Sequence, residues 1–163
     1  MLERLSMTAE PGSTTIVVTR LFDAPPSAVF EAWTKAEDVA HWWDPSGVPL
    51  AVCEIDLRPG GEFRWVHQGD KGMQHAFTGT YRENAPPHRL VFAARTFPPG
   101  PESIATLSFF AESDGTKFIM TIECQSIEDR NALLAMRVDV GTARTLENLA
   151  AFLHKIGQTE ESK

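Results

Sequence analysis

The sequence predicts an α+β fold in which one antiparallel sheet packs against a long C-terminal helix. From residue 50 onward, six short segments are rich in β-branched and aromatic residues, and turns rich in glycine and proline separate them. These segments are residues 50–56, 62–67, 75–83, 89–97, 104–112 and 116–125. Connections this short join antiparallel neighbours, because a parallel pair needs a crossover of about a dozen residues or more.

A strand and two short helices are predicted before those segments. Residues 14–22 are rich in β-branched side chains, which favours a strand. The proline pair 25–26 cannot continue a sheet ladder but can open a helix, and apolar residues follow it at helical spacing as far as Trp33. Residues 34–37 fit a capping box, with a threonine and a glutamate three positions apart, which predicts a second helix that ends near residues 41–42.

The C-terminal part of the chain, residues 127–156, is predicted to be helical. Its apolar stripe consists of Leu146, Leu149, Ala150, Leu153 and Ile156. Gly157 is predicted to end the helix. A curved seven-stranded sheet would cover the apolar stripe, because neither element can bury its apolar face alone. We expect a single domain over residues 14–157, with a flexible arm at 1–13 and a short tail at 158–163.

Composition and charge exclude several classes of protein. The 163 residues carry 15 Lys+Arg and 22 Asp+Glu, a formal net charge of −7, which argues against the basic face of a nucleic-acid binder. No apolar run approaches the roughly 18–20 residues that span a bilayer, and residues 1–7 lack the apolar core of a signal peptide. We therefore expect a cytoplasmic protein with no nucleic-acid or membrane partner. Cys53 and Cys124 are expected to be buried free thiols rather than a disulfide or a metal pair.

Several phrases of the sequence together resemble one protein family. The most specific are Asp-Leu-Arg-Pro-Gly-Gly at residues 56–61 and the tryptophan pair at residues 42–43. The phrases that carry the resemblance are residues 24–33, 39–43, 56–64, 79–81 and 87–92. Over residues 14–156 the chain is similar to the activator-of-heat-shock-protein-ATPase-homologue type of domain. This type belongs to the SRPBCC superfamily, with the steroidogenic-acute-regulatory-related (START) lipid-transfer proteins and the birch-pollen-allergen-like proteins.

The resemblance implies a helix-grip fold, in which a curved seven-stranded antiparallel sheet wraps around a long C-terminal helix. It implies no single activity, since related domains bind lipids or hormones, cyclise polyketides, or stimulate the ATPase of a heat-shock chaperone. Two positions depart from the usual pattern. Thr142 follows Gly141 where tryptophan is common, and Asp44 follows the tryptophan pair where glycine is common. Loss of an indole beside the last helix would enlarge or reshape an internal pocket.

An internal space between the sheet and the long helix is the expected ligand site, because side chains need not fill it completely. The predicted lining is Trp43, Phe63, Trp65, His67, Phe77, Phe92, Arg95, Phe118, Met120, Met136 and Leu146. If His67 lies opposite His75 in a hairpin, Trp65 and Phe77 share the same face of the sheet. That face would be aromatic near its middle and carry imidazoles at its rim.

Three polar features have both a chemical and a structural interpretation. The glycine turn at residues 58–61 could hold an anion, but neither a helix nor a Lys-Ser/Thr pair follows, so a tight turn with Asp56 paired to Arg58 is favoured. Two histidines across a hairpin could bind a metal or respond to pH, yet nearby sequence supplies no third ligand, so no metal is predicted. Arg95 either anchors a carboxylate in the cavity or is an edge charge, because both faces of its strand are apolar.

The favoured function is non-catalytic binding of a small, mostly apolar molecule in this cavity. The sequence has no nucleophile elbow, zinc-protease motif or dinucleotide fingerprint, so no catalytic residue and no cofactor is assigned. The first alternative is a co-chaperone that stimulates a heat-shock-protein ATPase through a surface patch. The second is a cyclase or hydrolase with His67, His75, Glu123 and Tyr81 as acid–base candidates. An exposed strand edge or Trp42 is the candidate contact for a homodimer.

Overall fold

The computed structural model has one open antiparallel sheet and four helices within the residues that it describes. It describes residues 5–43, 50–68, 74–96, 101–112, 115–135 and 138–161. The strands are β1 (Leu5–Thr8), β2 (Thr15–Phe22), β3 (Leu50–Ile55), β4 (Glu62–Gln68), β5 (Gln74–Ala85), β6 (Arg89–Thr96), β7 (Ser103–Glu112) and β8 (Gly115–Cys124). The helices are α1 (Pro26–Thr34), α2 (Ala36–Trp42), α3 (Ile127–Ala135) and α4 (Val138–Glu161).

The strands follow the order β1-β2-β8-β7-β6-β5-β4-β3, so β1 and β3 are the two edges of the sheet. Every neighbouring pair is antiparallel. The predicted α+β class, the antiparallel sheet and the long C-terminal helix are confirmed. Strand alternation divides the sheet into an inner face, which packs in the core with the helices, and an outer face on the opposite side.

Over the described ranges, the sheet has eight strands rather than the predicted seven. The additional strand, β1, pairs with β2 along its whole length. Leu5 and Met7 are half-buried and pack against the core, which gives this short strand an apolar anchor. The buried side chain of Arg130 in α3 donates a hydrogen bond of 2.5 Å from Nη1 to the carbonyl oxygen of Glu10. These contacts explain why part of the predicted N-terminal arm is built into the fold.

The two short helices begin and end close to the predicted positions, but the predicted capping box is wrong. The hydroxyl of Thr34 donates back to the carbonyl oxygen of Phe30 at 3.0 Å, within α1. Lys35 occupies the N-cap of α2 and makes no side-chain capping hydrogen bond. The threonine therefore contributes to the end of the first helix, and no side-chain hydrogen bond caps the second.

The helical tail consists of two helices, α3 and α4, rather than one. Leu146, Leu149 and Leu153 of α4 are buried in the core, as the apolar stripe predicts. The predicted stop at Gly157 is wrong, because α4 continues through it to Glu161. Gly157 does not have the left-handed backbone conformation that ends a helix at glycine. Within the described ranges, each helix is too short or too polar to cross a membrane.

An ion pair joins the sheet to the long helix. The side chain of Arg20 in β2 points into the core and is only 4% exposed. Its Nη2 donates to the Oε1 of Glu147 in α4 at 2.9 Å, its Nη1 donates to the carbonyl oxygen of Leu21, and its guanidinium lies 5.2 Å from the ring centroid of Phe22. Glu147 itself is 64% exposed, so water reaches one end of the pair and weakens the attraction.

Replacing Glu147 with glutamine is expected to lower the free energy of unfolding by about 1–2 kcal/mol, because it removes the only charged partner of Arg20 shown in the described structure. Urea unfolding followed by circular dichroism measures this change. Glu83→Gln is the control, because Glu83 and Arg89 form a pair of similar length in which both side chains are about half exposed. An equal loss in the two variants would show that burial of Arg20 adds nothing to its pair.

Candidate functional site

An aromatic cluster on the inner face of the sheet is the candidate site. We define it as Trp43, Phe63, Trp65, Phe77, Tyr81 and Phe92. The predicted register of the β4–β5 hairpin is confirmed, since His67 lies opposite His75 and Trp65 lies opposite Phe77. Side chains alternate along a strand, so every second residue of β4 and β5 points to the same face. The register therefore brings the rings of two strands together.

Within this cluster, the rings touch in an unbroken chain. The centroid of Trp43, at the C-terminal end of α2, lies 4.7 Å from that of Trp65, and the rings of Trp43 and Phe77 stack at 5.1 Å. Phe63 is the hub, with centroids 4.9 Å from Trp65 and 5.1 Å from Phe92. Edge-on and stacked aromatic pairs at these separations add to the stabilisation that burial alone supplies.

The cluster continues into a second set of rings beneath the short helices. The ring of Trp33 lies 6.3 Å from that of Trp43 and stacks on Phe118 at 5.6 Å. Trp42 is fully buried, and its Nε1 donates to the carbonyl oxygen of Ala32 at 3.0 Å. Burial excludes Trp42 as a surface contact for a homodimer, which corrects that part of the sequence analysis.

The aromatic cluster contains one buried hydrogen-bond donor, the indole N–H of Trp65, for which the described residues supply no acceptor. A buried donor left unpaired costs about 1–3 kcal/mol relative to a satisfied one. The indole N–H therefore makes a hydrogen-bond acceptor favourable at this point of the aromatic cluster.

The structure separates the predicted lining residues into groups. On the inner face of the sheet, Phe77 is half-buried, and the buried residues are Phe63, Trp65, His67, Phe92, Phe118 and Met120. Leu146 of α4 is buried in the same core, and Trp43 at the end of α2 is half-buried. Arg95 lies on the outer face, exposed and paired with Glu102, whereas its neighbour Ala94 is in the core. Met136 and Asp44 lie outside the described residues, as does the side chain of His75.

A family model described as Activator of Hsp90 ATPase homolog 1-like protein matches residues 23–154. The match covers α1 and α2, six of the eight strands described, α3 and most of α4. It begins directly after β2 and ends before the C-terminal end of α4. The chain belongs to this family.

Solved structures support the membership at the level of fold. A protein from Rhodobacter sphaeroides is 26% identical, with 92% of this chain and 99% of that chain covered and a TM-score of 0.83. An uncharacterised protein from Rhizobium leguminosarum is 27% identical, with coverage of 93% and 97% and a TM-score of 0.73. A protein from Chromobacterium violaceum is 28% identical, with coverage of 84% and 95% and a TM-score of 0.73. No curated protein matches the chain.

The glycine turn that is part of the family resemblance is structural. Gly60 has a φ of +86°, which favours glycine, and its N–H donates to the carbonyl oxygen of Tyr81. The N–H of Gly61 donates to the carbonyl oxygen of Arg58. The Nε of Arg58 donates to both carboxylate oxygens of Asp56, at 3.0 and 2.9 Å. Because these N–H groups already have acceptors, the turn is not an anion site, and the predicted Asp56–Arg58 pair is confirmed.

The two cysteines of this family member are free. Cys124 is buried, whereas Cys53 is half-buried and its thiol donates to the carbonyl oxygen of Ala36 at 3.4 Å. Burial, helped by the nearby charge of Glu37, raises the pKa of Cys53 to about 11. A thiol with this pKa carries little thiolate near neutral pH, so Cys53 is poorly suited to nucleophilic chemistry.

The three acid–base candidates whose side chains the structure describes do not share one face of the sheet. Tyr81 is buried on the inner face, and burial raises its pKa far above the ordinary value, so its phenol stays protonated. Glu123 is exposed and lies between two inward-facing residues of β8, which places it on the outer face. His67 is 4% exposed on the inner face. Within the ranges described above, three or more potential metal ligands nowhere come together.

A groove on the outer face of the sheet was not expected from the sequence. This outer groove has a volume of about 820 Å³, and its polar lining includes Glu54, Glu62, Arg64, Thr78, Arg95 and Glu102. The available signal was the same alternation that places the aromatic residues inside, because the residues between them must point outward. Of the six polar residues just named, the sequence singles out only Arg95, as a carboxylate anchor in the internal cavity or as an edge charge.

Proposed function

We propose that this protein binds a small, mostly apolar molecule against the aromatic cluster, between the sheet and the long helix. The observation that carries the proposal is the buried Nε1–H of Trp65, which has no hydrogen-bond partner among the residues that the structure describes. Such a site favours a ligand with an apolar ring or chain and one hydrogen-bond acceptor, such as a carbonyl or hydroxyl oxygen.

The entry side of this site is expected at Trp43 and Phe77. These stacked rings are half-buried, whereas Phe63, Trp65 and Phe92 behind them are 2–3% exposed. A ligand that packs against Trp43 or displaces it would contact the rings of the aromatic cluster. Trp65, whose N–H would donate to the ligand, belongs to that cluster. Stacking and burial would supply most of its affinity, and the indole N–H would fix its orientation.

The first test compares the native mass of freshly purified protein with its denatured mass. A reproducible extra mass that is lost on denaturation, and that disappears in a Phe77→Ala variant, supports the proposal and allows the released compound to be identified. An extra mass retained by the variant places the compound elsewhere and contradicts the proposal.

A sharper test uses two ligands that differ only in the acceptor, 2-acetylnaphthalene and 2-ethylnaphthalene, with affinities measured by calorimetric titration. Trp65→Phe keeps a ring and removes the N–H. We therefore expect it to lower the affinity for the acetyl compound about fivefold to tenfold relative to that for the ethyl compound. Trp42→Phe is the matched control, because the N–H of Trp42 already donates to Ala32. Equal effects of the two substitutions on the acetyl compound, or saturable binding of neither compound, would argue against the site.

A second candidate function is stimulation of a heat-shock-protein ATPase, which rests on the family match over residues 23–154. An exposed apolar pair on the outer face is compatible with a partner surface. Phe110 and Leu21 are 51% and 38% exposed, and they lie on either side of Lys117 in register. The test is to add the purified protein to the chaperone and measure ATP hydrolysis, and an unchanged rate would eliminate this function.

A further inference from the structure

The outer groove lies on the opposite side of the sheet from the aromatic cluster. Its floor is formed by small residues of β5 and β6, namely Thr78, Gly79, Thr80 and Ala93. Charged side chains stand around this floor. A volume of about 820 Å³ falls within the roughly 300–1,000 Å³ that small-molecule sites usually occupy. The groove is therefore large enough for a ligand of several rings or a sugar derivative.

Two arginines flank a threonine across three neighbouring strands. Arg64 of β4 pairs in register with Thr78 of β5, which in turn pairs with Arg95 of β6. Residues in register point to the same face, and neighbouring strands lie about 4.8 Å apart, so the two arginine backbones are about 10 Å apart. An anionic group above the Thr78 hydroxyl would therefore lie between two guanidinium groups.

The present partners of these arginines hold them loosely. The closest contacts are 3.8 Å from Arg64 to Glu54 and 3.7 Å from Arg95 to Glu102, beyond the usual range of a hydrogen bond. Both arginine side chains are more than half exposed. By contrast, Arg58 binds its partner carboxylate at 2.9 Å. An incoming phosphate or carboxylate would offer Arg64 and Arg95 shorter, charge-assisted hydrogen bonds than they have now.

The acidic residues of the groove define the remainder of the ligand. Glu54, Glu62 and Glu102 stand around the same floor and can accept hydrogen bonds from hydroxyl or amino groups. A bare anion would leave these carboxylates unused and would be repelled by them. The mixed lining therefore matches a molecule that carries one anionic group together with several hydrogen-bond donors.

We propose that the outer groove is a second binding site, for a small molecule that combines a phosphate or carboxylate with several hydroxyl or amino groups. The anionic group lies between Arg64 and Arg95 over Thr78, and the donors face the glutamates. This site is independent of the apolar site on the inner face, since the sheet lies between the two.

The experiment is a titration of the full ¹⁵N-labelled protein with glucose 6-phosphate, gluconate and glucose, followed by amide chemical shifts. Saturable shifts are expected at residues 64, 78–80 and 93–95 with at least one of the two anions, and glucose should bind at least about tenfold more weakly. A response to glucose 6-phosphate alone identifies the anionic group as phosphate, and a response to gluconate alone identifies it as carboxylate.

Variants separate a built site from general attraction of anions. Arg64→Gln and Arg95→Gln are each expected to lower the affinity for the anion that binds by about tenfold or more. Arg82→Gln is the matched control, because Arg82 is an exposed arginine of β5 outside the groove lining. The affinity of this variant for the anion should change less than twofold. Each variant must keep the amide spectrum of the folded protein away from the substitution. The proposal is overturned if neither anion saturates, if the shifts map elsewhere, or if Arg82→Gln weakens binding as much as Arg95→Gln.

Discussion

Replacing Gly79 with alanine is expected to lower the free energy of unfolding by about 3 kcal/mol. A Cβ atom at this position would overlap the carbonyl oxygen of Ala93 and lie 2.6 Å from two ring atoms of Phe63. The Phe63 ring could turn, but the carbonyl oxygen belongs to the backbone of the adjacent strand β6. To relieve that contact, β5 and β6 would have to move apart in the middle of the sheet, where their register pairs Gly79 with Ala94.

Gly157→Ala is the matched control for this prediction. Apart from the neighbouring residues and backbone of α4 itself, no described atom lies within 4 Å of a Cβ built at Gly157, and its backbone does not have the left-handed conformation. Alanine there should stabilise α4 by up to about 1 kcal/mol, because glycine is the poorer helix former. Urea unfolding of both variants, followed by far-ultraviolet circular dichroism, gives the comparison. A loss below about 1 kcal/mol for Gly79→Ala would mean that the two strands separate more easily than backbone packing implies.

The fold could be predicted because alternation and turn chemistry agree along most of the chain. The register that sets Trp65 opposite Phe77 follows from the short connection between two alternating strands. The errors fall where the local signal is weak or ambiguous. β1 has only Leu5 and Met7 as core residues, and its stability depends on pairing with a strand that lies further along the chain. The hydroxyl of Thr34 can serve either of two helix ends, and only the structure shows which one it serves.

The candidate site could be predicted only in part, since the face that a side chain occupies depends on register. Arg95 illustrates the difficulty. Its strand buries Phe92 and Ala94 on the inner face. Val91 and Ala93 on the outer face are buried as well, since they are only 8% and 9% exposed. With both faces apolar, the pattern alone cannot orient the arginine. The same ambiguity concealed the outer groove, because its floor of small residues carries no sequence signature of its own.

Replacing Phe63 with alanine is expected to lower the free energy of unfolding by about 3–5 kcal/mol. Phe63 is 2% exposed, and its ring lies within 5.4 Å, centroid to centroid, of four other rings. Its ring atoms also fill the space beside Gly79, where a side chain is missing. Removal of the ring therefore loses apolar burial and leaves a cavity that neither the glycine nor the surrounding rigid rings can close.

Phe110→Ala makes the same chemical change on the outer face and serves as the control. Phe110 is 51% exposed, so its truncation should change the free energy of unfolding by no more than about 0.5 kcal/mol. Urea unfolding of both variants separates the effect of the aromatic cluster from that of losing any phenylalanine. A loss of less than about 2 kcal/mol for Phe63→Ala would show that the neighbouring rings collapse into the vacated space. In that event the aromatic cluster would be deformable enough to rearrange around a ligand. The larger loss would mean that the cluster is rigid. A ligand must then enter at Trp43 and Phe77, where the cluster is only half-buried.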